Sequence, residues 1–447
     1  MQNQLKIFLP IETKSRELPY KAPLAFILAN QGYRVIVGRQ QEIRLTWFKY
    51  SKFIYIDKSS ARTKYQLFKD IKYCGGNIGV FCEEGLVYRS KSQYLAERIY
   101  SGSYNLIDKF WCWGFRQYDD ISEKFNKKKL KIIDSPRLSI SIKNKKSSKT
   151  LVNNNKKIIF LTSFGRLNKK INNKKQTQLE ILKKRGTFDK NIGEKFYKDW
   201  DNYLIRYQKS FIDLIEKCCK EFPNLDFSIR VHPSESKDKY LSSIKKFNNL
   251  SFSEYEELGD SIINASHIIS SYSTTSLEAH FINQRSFVYT PIKDSRYEPK
   301  IIKKICVCCK SSDEIISKIK TNHKNKELTQ ELQKYISLKE PDYFKILSNF
   351  GKEILRISKN SKNERKYIFS FLIRIKYFLK YYLRNFLYSY GFKKDTQTVI
   401  SKCKSISKKE IINYGEEFLV DNDEFSNIKL NFEISELSNN VFEIYKS

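Results

Sequence analysis

A cluster of hydroxyl side chains follows a short apolar run in the second half of the chain. Residues 270–276 read SSYSTTS, directly after Ile268-Ile269 and before a segment that predicts a helix. Where a strand passes into a helix, such a cluster offers backbone N–H groups, hydroxyl donors and the positive end of the helix dipole. This chemistry suits the phosphate of a nucleotide, and the alternative is a helix N-cap with extra serines. The candidate phosphate contacts are Ser271, Ser273, Thr274, Thr275 and Ser276.

His232-Pro233 is the second candidate, because it directly follows the apolar run 227–231. An imidazole at a strand end can donate to a phosphate oxygen or stabilise the charge of a leaving nucleotide. The alternative is a purely structural histidine. The sequence contains no Gly-x-Gly-x-x-Gly, Walker loop or zinc-ligand spacing, which argues against a dehydrogenase, an ATPase and a metalloenzyme.

Glu83-Glu84-Gly85 comes directly after a predicted strand that ends at Cys82. Two carboxylates therefore stand at the carboxyl edge of a sheet, where one of them could deprotonate an acceptor hydroxyl as a general base. The alternative is a solvated turn, because the Glu-Glu-Gly pattern is common.

The elements that would position these residues are strands alternating with helices. This order predicts an α/β chain with two Rossmann-like domains facing a cleft, plus a C-terminal helical extension. Ligands in such sheets bind outside the carboxyl ends of the strands. The predicted strands are 5–9, 35–37, 53–56, 78–82, 110–113, 130–133, 158–162, 227–231, 268–269 and 287–289, and the clearest helices are 20–30, 64–73 and 195–221. The predicted domains are an acceptor domain at 1–140, a donor domain at 156–345 after a linker at 139–157, a basic aromatic extension at 346–395 and an acidic tail at 396–447.

The charge is strongly positive, with 83 Lys and Arg against 49 Asp and Glu, or +34 in total. This sign favours phosphate-bearing partners: nucleic acid, an anionic membrane or a nucleotide sugar. The basic residues are spread along the chain without an RNA-binding motif, so we expect no nucleic-acid partner. The first ten residues lack the apolar core of a signal peptide, and no uncharged apolar run reaches the roughly 18 residues of a spanning helix. We therefore expect a cytoplasmic protein, or one peripheral on the inner face of the membrane.

The segment 362–394 is dense in Phe, Tyr, Leu and Ile, with single basic residues between them. At 100° per residue, five of these basic residues share an arc of roughly 100°, which predicts an aromatic helix with a basic stripe. Such a helix suits an anionic membrane interface, and the alternative is packing on the domain core or in an oligomer. The five residues are Arg365, Lys366, Lys376, Lys380 and Arg384. The acidic segment after it either covers basic surface or, as we prefer, forms a solvated tail.

The order of an acid-acid-glycine motif, a His-Pro motif and a Ser/Thr motif resembles that of bacterial sialyltransferases and Kdo transferases of the GT-B type. The opening LPIETKSREL at 9–18, with Gly38-Arg39-Gln40 later, resembles the bacterial surface carbohydrate biosynthesis protein family, over about residues 5–300. The resemblance implies transfer of an acidic sugar, Kdo or a nonulosonate, from a CMP-activated donor to a glycan or lipid-linked glycan acceptor. No cofactor is implied. Asp119-Asp120 lies in a helical context, and no Asp-x-Asp pair that could hold a metal stands at a strand end.

By this resemblance, Glu84 or Glu83 would be the base, while His232 with Pro233 and the hydroxyl cluster would hold the CMP. Glu12, Lys14, Arg16 and Glu17 form a candidate wall that touches donor or acceptor, unless their charges pair with one another. Two other functions fit as well: a CDP-glycerol-type polymer phosphotransferase, which has similar His-Pro and Ser-Tyr-Ser motifs, and a non-catalytic basic protein that binds membranes or nucleic acid.

Overall fold

The computed structural model describes residues 4–148, 157–168, 178–185, 188, 192–253, 262, 265–281, 284–321, 323, 334–337, 339–359, 367–392, 394–395, 397–419 and 432–446. The strands in these ranges are β1 (Lys6–Ile11), β2 (Arg34–Arg39), β3 (Phe53–Asp57), β4 (Asn77–Phe81), β5 (Lys109–Cys112), β6 (Leu130–Ile132), β7 (Lys157–Leu161), β8 (Phe227–Arg230), β9 (Leu250–Ser253), β10 (Ala265–Ser270), β11 (Ser286–Tyr289), β12 (Val307–Cys309), β13 (Phe432–Ser438) and β14 (Val441–Lys446). The α-helices are α1 (Lys14–Asn30), α2 (Gln40–Ile43), α3 (Tyr65–Tyr73), α4 (Lys91–Arg98), α5 (Ser101–Leu106), α6 (Phe115–Ser122), α7 (Pro136–Ser148), α8 (Gln178–Arg185), α9 (Gly193–Glu221), α10 (Asp238–Leu241), α11 (Thr274–Phe281), α12 (Lys300–Ile305), α13 (Ser312–Lys320), α14 (Tyr343–Lys359), α15 (Tyr367–Ser389), α16 (Gln397–Lys402) and α17 (Lys408–Leu419).

The first compact unit combines both ends of the chain: residues 1–85, 97–140 and 336–447. Its sheet has the order β13-β14-β2-β1-β3-β4-β5-β6. The six strands from β2 to β6 are parallel, whereas β14 is antiparallel to β2 and β13 is antiparallel to β14. The chain goes from β1 to β2 on one side and returns to β3 on the other. The carboxyl ends of β1 and β3 are therefore the switch point, where ligands bind in open α/β sheets.

The second compact unit comprises residues 86–96 and 141–335. Its six strands are all parallel, in the order β12-β11-β10-β7-β8-β9. The buried side of the 29-residue helix α9 supplies Tyr203, Tyr207, Phe211 and Leu214 to the core of this unit. The chain leaves β7 toward β8 and later returns to β10, so the switch point lies between β7 and β10.

The predicted fold class, α/β with two Rossmann-like domains, is confirmed by the two sheets. The strands were predictable because parallel strands covered on both faces form nearly continuous apolar runs. Ile7, Phe8, Leu9 and Ile11 of β1 are all fully buried. Pro10, which we expected to end this strand, lies inside it and pairs with Gly38 of β2.

Two predictions about the segments between and after the domains were wrong, those of a linker and of a solvated tail. The expected linker at 139–157 is helical up to Ser148, as part of α7. The predicted helical extension consists of α14 and α15; α14 packs on α1 and β4, and α15 packs on α3 and the short turn Trp47–Lys49 of the first unit. The expected solvated tail contributes β13 and β14 to the first sheet, where main-chain hydrogen bonds and the burial of Val441, Phe442 and Ile444 hold it.

All nine cysteines are free; eight are buried and Cys308 is half-buried. Within the described ranges, the helices are too short or too polar for any of them to cross a membrane.

Candidate functional site

The second unit brings three adjacent strand ends together at its switch point. Thr162 and Ser163 follow β7, His232 follows β8 after one residue, and Ser271 follows β10. The His232 N–H donates to Thr162 Oγ1 (3.0 Å), and the hydroxyls of Ser163 and Ser271 are 2.5 Å apart. Ser163 also donates to the carbonyl oxygen of Tyr272 (3.3 Å). The predicted His-Pro and Ser/Thr motifs therefore belong to one site, and Thr162-Ser163 joins them.

The ring of His232 has a defined orientation. The backbone N–H of Ser234 donates to Nδ1 (3.2 Å), and Ser234 Oγ lies 2.8 Å from the same nitrogen. Since Nδ1 accepts a hydrogen bond, the neutral ring carries its proton on Nε2. His232 and Pro233 are half-buried. The side chain can therefore present an Nε2–H donor to an anion.

The hydroxyl cluster divides into structural and accessible members. Ser270 and Ser276 are fully buried, and their hydroxyls are 2.5 Å apart, so this pair joins β10 to α11. Ser271 is only 1% exposed. Ser273 Oγ accepts the N–H of Thr275 (3.2 Å) and so caps α11. The accessible members are the half-buried Ser273, Thr274 and Thr275, at the positive end of the helix.

A buried carboxyl group, Glu235, lies beneath this site and was missed by the sequence analysis. It is fully buried and accepts a hydrogen bond from the hydroxyl of Tyr240 (2.5 Å). Burial raises its pKa to about 7, against the opposing effect of hydrogen bonds from Tyr240, Thr162 and the backbones of Phe164 and Gly165. Glu235 thus holds the loop after β7 in place. The only sequence feature that connects Glu235 with the site is its position three residues after His232.

The two carboxylates predicted as catalytic bases have different environments in the first unit. Glu83 is 5% exposed and accepts a hydrogen bond from Tyr20, while Arg137 lies 3.9 Å away. Burial, together with the nearby carboxylate of Glu17, raises the pKa of Glu83. The side chain of Glu84 is 40% exposed and forms an ion pair with Arg98. Glu84 is therefore the accessible carboxylate of the pair, and Glu83 belongs to the interior.

The predicted substrate wall lies at the switch point of the first unit, and its acidic members are engaged there. Glu12 binds Lys58 (2.5 Å) and Lys402 (2.6 Å). Burial would raise the pKa of Glu12, but these two ammonium groups outweigh it and hold the pKa well below the usual range.

Glu17, in the first turn of α1, is 2% exposed. Its carboxylate accepts a hydrogen bond from the backbone N–H of Thr13 (2.9 Å) and forms an ion pair with Lys21 (2.6 Å). Lys14 pairs with Glu410. Glu12 and Glu17 thus hold the loop between β1 and α1, and a substrate contact by Lys14 or Arg16 stays a prediction.

Metal ligands do not cluster in this site. Across the residues that the structure describes, no group of three His, Cys, Asp or Glu side chains could hold a metal ion. Asp119 and Asp120 lie in α6, as expected.

No protein-family model matches the chain, and no curated protein matches it in sequence. Among solved structures, it is similar to UDP-GlcNAc 2-epimerase from Neisseria meningitidis bound to UDP-GlcNAc, with 14% identity over 79% of this chain and 99% of that one and a TM-score of 0.46. The Methanocaldococcus jannaschii UDP-GlcNAc 2-epimerase in complex with UDP-GlcNAc and UDP gives 11% identity, coverages of 80% and 100%, and a TM-score of 0.49. The wall teichoic acid polymerase TagF gives 9% identity, coverages of 85% and 89%, and a TM-score of 0.36. At these identities and TM-scores, the similarities assign neither a family nor an activity to this chain.

Proposed function

We propose that the chain is a glycosyltransferase of bacterial surface polysaccharide biosynthesis. It transfers an acidic sugar of the Kdo or nonulosonate type from a CMP-activated donor to a glycan or lipid-linked glycan acceptor. The main support is the convergence of Thr162-Ser163, His232 and the hydroxyl cluster at the switch point of the second unit. That site offers neutral donors and a helix N-terminus to a phosphate.

In this proposal, the second unit holds the CMP. Transfer breaks the bond between the anomeric carbon and the phosphate oxygen, and negative charge accumulates on the departing CMP. The Nε2–H of His232 and the hydroxyls of Ser273, Thr274 and Thr275 donate to those oxygens and stabilise the charge. A fixed donor set lowers the barrier because it needs no reorganisation during the reaction.

The acceptor hydroxyl supplies the new bond to the anomeric carbon, and its proton must go to a base. We assign this role to Glu84, because its carboxylate is accessible while that of Glu83 is buried. The ion pair with Arg98 holds this carboxylate in position.

Nucleotide binding is tested by thermal shift with CMP, CDP, UDP and GDP. A ligand that binds only the native state at 100 times its Kd adds about 2.7 kcal/mol of stability. We expect CMP to raise the melting temperature of the wild type and His232→Ala to lose most of that shift. His323→Ala, at an exposed histidine of the same unit, is the matched control and should keep it. No shift with any cytidine nucleotide, or an unchanged shift in His232→Ala, would remove the basis of the proposal.

Turnover is tested by CMP release from CMP-Kdo and CMP-sialic acid in the presence of acceptor glycans. Glu84→Gln keeps the shape of the side chain but cannot take the proton, so CMP binding should persist while release falls by at least about a hundredfold. A non-catalytic basic protein would not release CMP from either donor. Equal release by the wild type and Glu84→Gln would exclude Glu84 as the base.

A CDP-glycerol-type polymer phosphotransferase is the second candidate. The His232-Pro233 and Ser271-Tyr272-Ser273 motifs favour it, since the accessible donors His232 and Ser273 could hold either phosphate of a CDP-alcohol. Parallel incubations with CMP-sugars and CDP-glycerol separate the two functions. A product from CDP-glycerol alone would replace the glycosyltransferase proposal with this one.

A further inference from the structure

The outward side of α15 exposes a concentrated set of large apolar side chains. Elsewhere in the described residues, the exposed ones are scattered: Tyr65, Phe115, Ile205, Leu225 and Leu241. Between positions 369 and 392 there are eleven, with 40–73% of each side chain exposed: Phe369, Phe371, Leu372, Ile375, Phe378, Leu379, Tyr382, Leu383, Phe386, Tyr390 and Phe392. An exposed apolar patch of this extent marks an interaction surface.

Eight of these side chains, from Phe371 to Phe386, form one face of the helix. At 100° per residue, their positions lie within an arc of about 140°. At 1.5 Å per residue, this face extends for about 23 Å. We call it the apolar face of α15.

The opposite side fixes α15 on the first unit. The ring centroid of Tyr377 lies 4.6 Å from that of buried Trp47. Arg374 donates to the carbonyl oxygens of Tyr50 (2.9 Å) and Cys74 (3.3 Å), both in the first unit. The apolar face of α15 therefore points away from the first unit, to which the other side of the helix is bound.

The predicted basic stripe is only partly available. Lys376 pairs with Asp70 (2.7 Å) and Arg384 pairs with Glu42 (2.5 Å), so both anchor the helix to the first unit. Arg365 and Lys366 lie outside the described residues. Lys380 is exposed, and its Nζ lies 5.4 Å from the ring centroid of Tyr377.

The segment that carries the apolar face is basic, and Asp70 and Glu42 of the first unit pair with two of its cations. Residues 365–394 contain eight Lys and Arg and no Asp or Glu. Lys49 of the first unit also lies over the ring of Tyr381, with Nζ 4.5 Å from the centroid. An apolar helix face among cations complements a surface of acyl chains and anionic headgroups.

We propose that the apolar face of α15 docks the protein on an anionic lipid bilayer, with the helix parallel to the membrane plane. Phe, Leu and Tyr side chains enter the boundary between headgroups and acyl chains, and Lys380 contacts the headgroups. A second copy of the chain fits this face less well. A two-fold interface would bring two basic segments together, and neither has a carboxylate to pair with the other. This inference is independent of the proposed enzyme activity.

Vesicle flotation of the full chain tests the proposal. We expect the wild type to float with phosphatidylcholine vesicles that contain phosphatidylglycerol, and to bind pure phosphatidylcholine more weakly. The double variant Leu379→Glu/Leu383→Glu places charge in the middle of the apolar face and should reduce binding at least about tenfold. Ile205→Glu, on the exposed side of α9, is the matched control and should bind like the wild type.

Circular dichroism and thermal melting of each variant show whether the fold is retained. The proposal is overturned if the folded wild type stays unbound with both vesicles, or if the folded double variant binds as the wild type does. Light scattering after size-exclusion chromatography adds a third outcome. A dimer that the double variant loses, without vesicle binding by the wild type, would assign the face to a second copy and reject the lipid surface.

Discussion

Glu235→Gln should make the protein more stable at neutral and alkaline pH. Burial raises the pKa of Glu235 to about 7, from about 4.5 for a free glutamate. The difference between these two pKa values corresponds to about 3 kcal/mol. Glutamine has nearly the shape of the protonated carboxyl group and carries no charge at any pH.

The sign follows from proton binding in the two states. Below pH 4.5 the carboxyl group is protonated in both states, and its full contribution to stability is present. As the pH rises toward 7, the unfolded chain releases the proton while the folded chain keeps it, so the wild type loses stability. Above pH 7 the loss reaches about 3 kcal/mol, which the variant avoids. The amide can also leave one local donor unbonded, at a pH-independent cost of about 1 kcal/mol.

Urea unfolding between pH 4.5 and 8, followed by circular dichroism and tryptophan fluorescence, measures this difference. We expect the free energy of unfolding of Glu235→Gln minus that of the wild type to increase by about 3 kcal/mol across this range. Glu12→Gln is a control of opposite sign, because Lys58 and Lys402 hold the pKa of Glu12 low. Its loss of stability should be greatest at pH 8. A difference for Glu235→Gln that stays constant or falls with pH would refute the reasoning.

Two further predictions concern the last strand of the first sheet. Glu443 is 5% exposed and pairs with Lys6 (3.2 Å) and Arg34 (2.7 Å). Because Glu443→Ala leaves these two cations unpaired, it should lower the free energy of unfolding in urea by about 3 kcal/mol. A decrease below about 1 kcal/mol would contradict a structural role for this carboxylate. A Cβ on Gly38 would lie 2.6 Å from the carbonyl oxygen of Asn440, so Gly38→Val should displace β14 and cost about 1–3 kcal/mol. Limited proteolysis with mass spectrometry should then detect earlier cleavage near the C-terminus, and an unchanged cleavage pattern would show that the strand is still paired.

The central strands of both sheets were predictable because their apolar runs are nearly continuous. The strands β13 and β14 were not predictable, because their acidic residues suggested a solvated tail. The alternation in Phe432–Ser438 and the Asn439-Asn440 pair before Val441 are typical of a hairpin, and Asn440 has a φ of 62°. Helix α1 begins at Lys14, six residues earlier than predicted, although Pro19 and Pro23 lie inside it.

At the candidate site, sequence order placed His232 and the hydroxyl cluster at strand ends, and the structure joins them. Burial was not predictable from the residue types. Ser276 and Glu235 are fully buried, whereas isolated Ser and Glu side chains are usually exposed. The difference in exposure between Glu83 and Glu84 also depends on tertiary contacts, since the side chain of Glu83 points inward and binds Tyr20. Residue types thus indicated the chemistry, and packing decided which groups are available for it.

The pairing of β14 with β2 has a consequence for synthesis on the ribosome. All residues of the second unit have been synthesised once residue 335 has emerged, whereas the outer edge of β2 stays uncovered for about another hundred residues, until β14 follows. During that interval the nascent chain exposes a strand edge with Val35, Ile36 and Val37, which favours intermolecular pairing. We therefore expect chains released early, without β14, to be the aggregation-prone species during overexpression.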